Sequence, residues 1–577
     1  MLALLKYLKP YGFSVVLIVV LTLVSTFLEL LLPTLMANVV DVGIVNGDIP
    51  YILKTGGWMI IISILAIIFT IAAFYLSAKV SLGFGKMLRR DLFVHVENFS
   101  LESFNQFGTA SLITRTTNDI KQIQDVLNVL LRIMTRAPLM LVGGIILAVS
   151  REATLSLVFL VALPLLGAVI FLVARQAIPL FATLQQKTDR LNLVIRESLT
   201  GVRVIRAFNR VEDEKKRFDE ANEAFRDTGI RVSKMLATLF PAMLIIMNFT
   251  NVAIIWFGAI RIDQGHMQVG NMMAFIQYAA FILTSLIMLS MTFIMIPRAQ
   301  ASAKRVNEVL QVKGAIADPE AAVQERSQRG YVEFKNVTYY YAGAEKPALK
   351  NISFLAKPGE TTAIIGSTGA GKSTLIQLIL RFYDPKSGVI LVDGVDIKQM
   401  TQKTLRQRIG YVPQQATLFS GTIAENIRLG KPDATDQEVL QVLEIAQAAD
   451  LVNEKEGGIN AMVYQSGGNL SGGQKQRLSI ARALIRKPKI YIFDDSFSAL
   501  DYKTDARLRK ALKDYIKDAT MIYVGQRIST VKDADQIIVL EQGEIVGIGR
   551  HEELLRENRV YQEIVESQYT KEEGGHE

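Results

Sequence analysis

As far as Gln311 the chain is dominated by long apolar runs, and beyond it by short ones. Six stretches, near Phe13–Leu35, Gly56–Leu76, Val129–Val149, Leu155–Ala174, Leu236–Ile260 and Asn271–Ile296, are long and apolar enough to cross a bilayer as helices, which takes about 20 residues each. Only Ser150–Thr154 separates the third from the fourth, which predicts a tight helical hairpin. The first stretch is too long for a signal-peptide core and lacks a small-residue cleavage site, so it reads as a span. The connections Ser77–Asn128 and Arg175–Met235 carry helical periodicity, as in Val202-Ile205-Phe208 and Phe218-Ala221-Phe225, rather than loop composition. The spans are therefore expected to continue as helices well past the bilayer, forming two long hairpins with tips near Thr109–Thr116 and Leu199–Phe208. Both connections are rich in Lys and Arg and the short loops opposite carry few. By the positive-inside rule the connections and both termini face the cytoplasm.

Past Gln311 the pattern changes. Pro319, Gly330 and a mixed-charge stretch mark a linker over 311–330. From 331 to about 570, β-rich runs (Tyr331–Phe334, Thr362–Ile365, Val389–Val392, Lys489–Phe493, Thr520–Val524, Gln536–Leu540) alternate with helical ones, which predicts an α/β domain on a largely parallel sheet. Residues 571–577 read as a polar tail. The expected architecture is multidomain: an all-α six-helix membrane domain over 1–310, followed by an α/β domain.

Composition adds three points. Half the residues are hydrophobic, in keeping with apolar spans joined to an ordinary soluble domain. The net charge of +9 is dispersed among acids, which argues against nucleic acid and fits cytoplasmic loops beside anionic lipid. With no cysteine, the chain has no disulfide, thiol nucleophile or Cys-ligated metal.

The chemistry centres on Gly366-Ser367-Thr368-Gly369-Ala370-Gly371-Lys372-Ser373-Thr374, a G-x-x-x-x-G-K-S/T phosphate loop between an apolar strand run and a helical run. Successive backbone N–H groups and the helix N-terminus make a positive nest for phosphates. Lys372 would reach the β/γ-phosphates and Ser373 would offer its hydroxyl to Mg²⁺. Downstream, Lys489–Asp494 is an apolar strand ending in an acid, placed to hold Mg²⁺ directly or through water. Between them, Leu470-Ser471-Gly472-Gly473-Gln474 opens a helix carrying Lys475, Arg477 and Arg482, a second anion-binding turn.

Phosphate loop, LSGGQ and acid strand in this order resemble the nucleotide-binding domain of the ATP-binding cassette (ABC) superfamily, and the six spans with long hairpins resemble its exporter-type half-transporter. The resemblance covers essentially the whole chain. It implies ATP and Mg²⁺ as ligands and a dimer in which each ATP lies between one chain's phosphate loop and the other's LSGGQ. It also implies roles: Tyr341 stacks on adenine, with Tyr339 the runner-up; Gln414 touches Mg²⁺; Ser471, Gly472, Gly473, Gln474 and Asp501 serve the partner's ATP; the hairpin tips act as coupling helices.

Three departures from the family pattern stand out. The base that activates the attacking water is normally Glu after the Mg²⁺ acid, and here it is Asp495. The switch His is Gln526, and the acid before the signature is missing, with Gln465 near its place. A carboxylate one methylene shorter falls back by about 1 Å, a misplacement that costs around a hundredfold in rate. An amide donates a hydrogen bond but carries neither the charge nor the proton of imidazole. With LSGGQ intact, the chain resembles the degenerate-site subunit of bacterial heterodimeric multidrug exporters, which move amphiphilic small molecules across the cell membrane. A homodimeric lipid or drug exporter and an ATP-gated channel or regulatory subunit are the alternatives. A dedicated peptide exporter lacks support, since no protease-like domain or catalytic cysteine is present.

In the membrane half, Glu29 lies within the first span, where an acid is a candidate contact for cationic substrates, against a packing or snorkelling role. Met272, Met273, Phe275, Phe281, Met288, Met291, Phe293 and Met295 would suit an adaptable apolar pocket, and serve equally as membrane core.

Overall fold

The computed structural model describes residues 2–312, 316–321, 323 and 329–573, without the side chains of residues 2, 291, 293, 294 and 569–573. Much of the expected linker, residues 574–577 of the expected tail, and the side chains of Met291 and Phe293 lie outside the described residues. The chain divides into two compact units: Met1–Glu97 with Thr109–Val312, and Asn98–Gly108 with Lys313–Glu577.

The first unit is all helical. Its six apolar helices run over Ala3–Ile44, Ile49–Glu97, Thr109–Arg151, Leu157–Thr200, Val211–Asp263 and Val269–Gln311, each 42 to 53 residues long. At 1.5 Å per residue the 49-residue second helix reaches about 74 Å, more than twice the hydrocarbon thickness of about 30 Å. The spans thus do extend beyond any bilayer, as their periodicity predicts. Apolar side chains such as Phe13, Ile64, Leu160 and Trp256 are exposed around them, as lipid as solvent requires. The third and sixth spans pack on one another, as do the fourth and fifth. The sixth span has no side-chain cap of its own, and Asp41 from the end of the first supplies one by accepting from Gly270 N (2.6 Å) and Asn271 N (3.1 Å).

At the first hairpin the turn falls earlier than Thr109–Thr116. A short helix, Leu101–Phe107, is capped by Ser100 and ended by Gly108 at φ +73°, and belongs to the second unit. The periodicity around it masks the turn because Leu101 packs on the second unit's core. At the other tip, Val202–Ala207 forms a separate short helix within Leu199–Phe208.

In the second unit the β-rich runs sort into two main sheets rather than one. Val332–Tyr339 and Ser387–Val392 join Leu349–Ala356 and Val395–Asp396 in an antiparallel sheet. The other sheet lies in the order Glu544–Gly549, Gln536–Glu541, Thr361–Gly366, Thr520–Val524, Ile490–Asp494, Ile409–Val412, parallel apart from its first strand. The central strands are buried on both faces, which explains their unbroken apolar runs. Four of them, Thr361–Gly366, Thr520–Val524, Ile490–Asp494 and Ile409–Val412, end at one edge of the sheet, where the candidate residues gather.

Candidate nucleotide site

The phosphate loop leaves the strand Thr361–Gly366 and enters the helix Lys372–Ile379. Two of its glycines, Gly366 and Gly371, are required by space. A Cβ at Gly366 would overlap the Leu540 carbonyl, and one at Gly371 (φ +101°) would sit 2.7 Å from Leu349 Cδ2 and 2.9 Å from Ala348 O. The Lys372 ammonium folds back to donate to Gly366 O (2.8 Å) and Ser367 O (2.7 Å), a bracket that holds the loop open. Burial pushes Lys372 below the ordinary lysine range, against the pull of Asp495 and Asp494 beside it.

Across the sheet edge, Ser373 Oγ donates to Asp494 Oδ1 (3.2 Å). Burial raises Asp494 above the usual carboxylate range, with Ser373 opposing it and the neighbouring Asp495 adding to it. Asp495 is raised as well, again chiefly by burial. Its carboxylate takes two amide donors, Gln526 Nε2 at 3.0 Å and Gln414 Nε2 at 3.4 Å, while its backbone is left-handed at φ +45°. Tyr341 is partly exposed and bonds Thr374 Oγ1 through its hydroxyl (2.8 Å). Tyr339 is 5% exposed beneath it, edge-on at 81°, and so has no face to offer a base. Tyr341, Lys372, Ser373, Gln414, Asp494, Asp495 and Gln526 line one cavity of about 350 Å³, which does not include Tyr339.

The resemblance to known proteins is as specific as the geometry. Residues 15–308 match the ABC transporter transmembrane region and residues 349–498 match the ABC transporter domain. An uncharacterized ABC transporter ATP-binding protein of Mycobacterium tuberculosis is 43% identical over 98% of both chains. The chain is an ABC transporter. A Mycobacterium bovis relative named a fatty acid ABC transporter ATP-binding/permease protein is 34% identical over 83% of this chain and 75% of its own. A solved bacterial Atm1-family ABC exporter with ATP bound superposes with a TM-score of 0.80 at 27% identity, covering 97% of this chain and 98% of that one. The fold is that of an exporter half-transporter, with a six-helix membrane domain followed by an α/β nucleotide-binding domain.

Other candidate residues of this ABC transporter stand outside the cavity. Ser471 caps the helix Gly472–Leu484 in a reciprocal box with Gln474: Gln474 N donates to Ser471 Oγ (3.3 Å) and Ser471 N to Gln474 Oε1 (2.9 Å). A Cβ at Gly472 would meet nothing within 4 Å, whereas one at Gly473 would lie 3.2 Å from Ala499 O. Arg477 and Arg482 face inward, on Asp450 (2.9 Å) and on Asn426 O and Thr417 O (both 2.9 Å), so the helix's cationic appearance is largely internal bracing. Asp501 caps the helix Tyr502–Tyr515 by accepting from Thr504 N (2.9 Å).

Two features have no signal in the sequence. Gln568, on the last helix, clamps the Gln526 loop from both sides: its Nε2 donates to Gln526 O (2.7 Å) and its Oε1 accepts from Ile528 N (2.8 Å). In the membrane half, Glu29 is engaged by Arg136 at 2.6 Å, which changes what it offers. A carboxylate so paired presents no free negative charge to a cationic substrate.

Proposed function

We propose that this chain is one half of an ATP-driven exporter, paired with a different half-transporter, and that its own nucleotide site binds ATP more than it hydrolyses it. One observation carries the reading: the Asp495 carboxylate, at the position of the hydrolytic base, is short, left-handed in its backbone and held by the amides of Gln526 and Gln414. A general base needs hydrogen-bond reach to the water it deprotonates, about 2.6–3.2 Å. Here one carboxylate oxygen, Oδ2, already accepts two amide hydrogens, and neither amide can take up charge.

The binding half of the site is intact. ATP would lie with its adenine on Tyr341 and its phosphates in the loop, where Lys372 exchanges the carbonyls of Gly366 and Ser367 for phosphate oxygens. Asp494 with Ser373 and Gln414 fits Mg²⁺: adjacent buried carboxylates favour a nearby cation. Among the described residues no group of three His, Asp or Glu side chains forms a metal cage by itself, which suits an ion that completes its shell with phosphate and water. Mg²⁺, when bound, neutralises charge on the β- and γ-phosphates. The open face at Gly472, with Ser471, Gly473, Gln474 and Asp501, serves the partner's ATP. The nucleotide-binding unit and both termini face the cytoplasmic side of a cell membrane, and the substrate is amphiphilic, a class to which the fatty acid in one relative's name belongs.

The test is the ATPase rate of the chain alone and of its complex with a second half-transporter. The chain alone is expected to be slow and the complex active. Turnover by the chain alone on the order of 1–10 per second, an ordinary enzymatic rate, would refute the division of labour.

A further inference from the structure

The half-buried charges of the spans are unequally satisfied. Arg136 has Glu29 at 2.6 Å, Arg151 has Asn271 Oδ1 at 3.1 Å and Arg261 has Glu152 at 3.2 Å. Arg132, one turn before Arg136 on the same helix, has only an aromatic face. Its guanidinium carbon lies 3.7 Å over the Phe74 ring, and its Nε, like that of Arg261, is buried without a hydrogen-bond partner. Among the described residues no carboxylate lies within ion-pair reach of it. A guanidinium has five donors and no acceptor, so nothing it does to itself relieves this.

Its position gives the demand a direction. Arg132 lies about 28 Å along the helix axis from Arg151 at the hairpin, close to the full hydrocarbon thickness of about 30 Å. It therefore sits at the level of one headgroup layer. From the Phe74 ring, Ile71, Ile67, Ile64 and Ile60 follow at helical spacing along the second span, each more than half exposed. That apolar stripe is about 21 Å long, more than the depth of one leaflet.

We infer that Arg132 and this stripe receive an anionic amphiphile as the exported substrate: a carboxylate or phosphate monoester headgroup on the guanidinium and an alkyl chain along Phe74 to Ile60. A planar fork of donors suits a carboxylate or phosphate held bidentately. The cationic alternative is disfavoured because Glu29, the acid on the adjoining face, is neutralised by Arg136. The inference rests on the exporter reading above and narrows its substrate class.

The intact dimer in phosphatidylcholine nanodiscs is assayed for ATPase stimulation by oleate, by oleyl alcohol as its uncharged counterpart, and by a single-chain ammonium amphiphile, each relative to the variant's own basal rate. ATP-driven oleate uptake into inverted vesicles is measured alongside. Oleate is expected to stimulate and to be transported, and oleyl alcohol and the ammonium amphiphile to do neither. Arg132→Gln is expected to raise the half-stimulating oleate concentration at least about tenfold, the factor that a charge-assisted hydrogen bond carries. Arg132→Lys, which keeps the charge but loses the fork, is expected to fall between. Equal responses to oleate and oleyl alcohol, or an oleate response unmoved by Arg132→Gln, would overturn the inference. So would an Arg132 effect confined to phosphatidylglycerol added to the bilayer, which would make the site one for resident lipid. Uptake of the ammonium amphiphile alone would overturn this inference and leave the exporter standing, whereas absence of any ATP-driven uptake would remove both.

Discussion

Replacing Asp495 by Glu, with and without Gln526→His, tests whether the short carboxylate silences this chain's own site. The added methylene advances the carboxylate by about 1 Å, so if reach is the defect the single change recovers up to around a hundredfold in the hydrolytic step. Two features of the structure oppose a full recovery. The Gln526 amide, 3.0 Å from the carboxylate, holds it away from water, and Gln414 assists at 3.4 Å. Gln526→His removes the first of these and restores a group able to carry charge beside the γ-phosphate. The double variant should therefore gain more than the two single changes combined, since residues acting as a unit are non-additive. A stability effect of opposite sign accompanies the gain. Position 495 has φ +45°, where Asp is tolerated better than Glu, and the exchange costs up to about 1 kcal/mol. For a domain of this size that lowers Tm by about 2–4 °C. Single-turnover hydrolysis of γ-labelled ATP is measured in a dimer whose partner site has lost its own base, with thermal unfolding recorded in parallel. If the double variant is no faster than the parent while the partner's signature is intact, the two side chains are not what silences the site.

Three further outcomes are expected. In the proposed heterodimer, Gly472→Glu should reduce the ATPase more than Lys372→Ala: the Gly472 face is open within this chain, so on that proposal the added carboxylate acts against the partner's ATP, and a more severe lysine variant would reverse the assignment. Gln568→Ala frees the Gln526 loop from both of its clamps and should speed amide exchange at Gln526–Ile528 while leaving the melting temperature within a few degrees; unchanged exchange would show that the clamp does not order the loop. Because burial and the neighbouring Asp495 raise Asp494, Mg²⁺–nucleotide affinity should begin to fall at a pH above the ordinary carboxylate value of about 3.9 as the solution is acidified. Asp495→Asn should move that fall to lower pH, and calorimetric titration over a pH series would expose a shift in the opposite direction.

The apolar spans, the phosphate loop and the acid strand are legible in the sequence because each follows from a local rule: span length, a glycine-spaced anion loop, an unbroken run of isoleucine and aromatic residues. What was not legible depends on partners distant in the chain. Ile409–Val412 is too short to announce itself, and becomes a strand because it pairs with Ile490–Phe493. Val389–Val392 has the apolar character of the central strands, yet pairs with Val332–Lys335 in the other sheet. The first hairpin turns at Gly108, where a helix capped by Ser100 ends, and the partly buried Leu101 of that helix packs against the core of the second unit. Gln568 is one glutamine among many in the sequence, and only the fold brings it to the Gln526 loop.

Both halves of the molecule are informative in the same way: through which charged or polar groups the chain satisfies internally. Glu29 and Asp495 are the residues that sequence logic favours for chemistry, one as an intramembrane acid and one as a catalytic base. In the structure each is engaged, by Arg136 and by the amides of Gln526 and Gln414. Arg132, by contrast, leaves its Nε buried with a ring face and no acceptor, and the backbone at Gly472 is open, with nothing within 4 Å of where a side chain would start. A desolvated donor without an acceptor is costly, so it persists where something outside the chain supplies the acceptor for part of the working cycle. On that argument Arg132 suits its proposed role of meeting an amphiphile's headgroup, while the exposed backbone at Gly472 leaves room for the nucleotide proposed to be held by the partner.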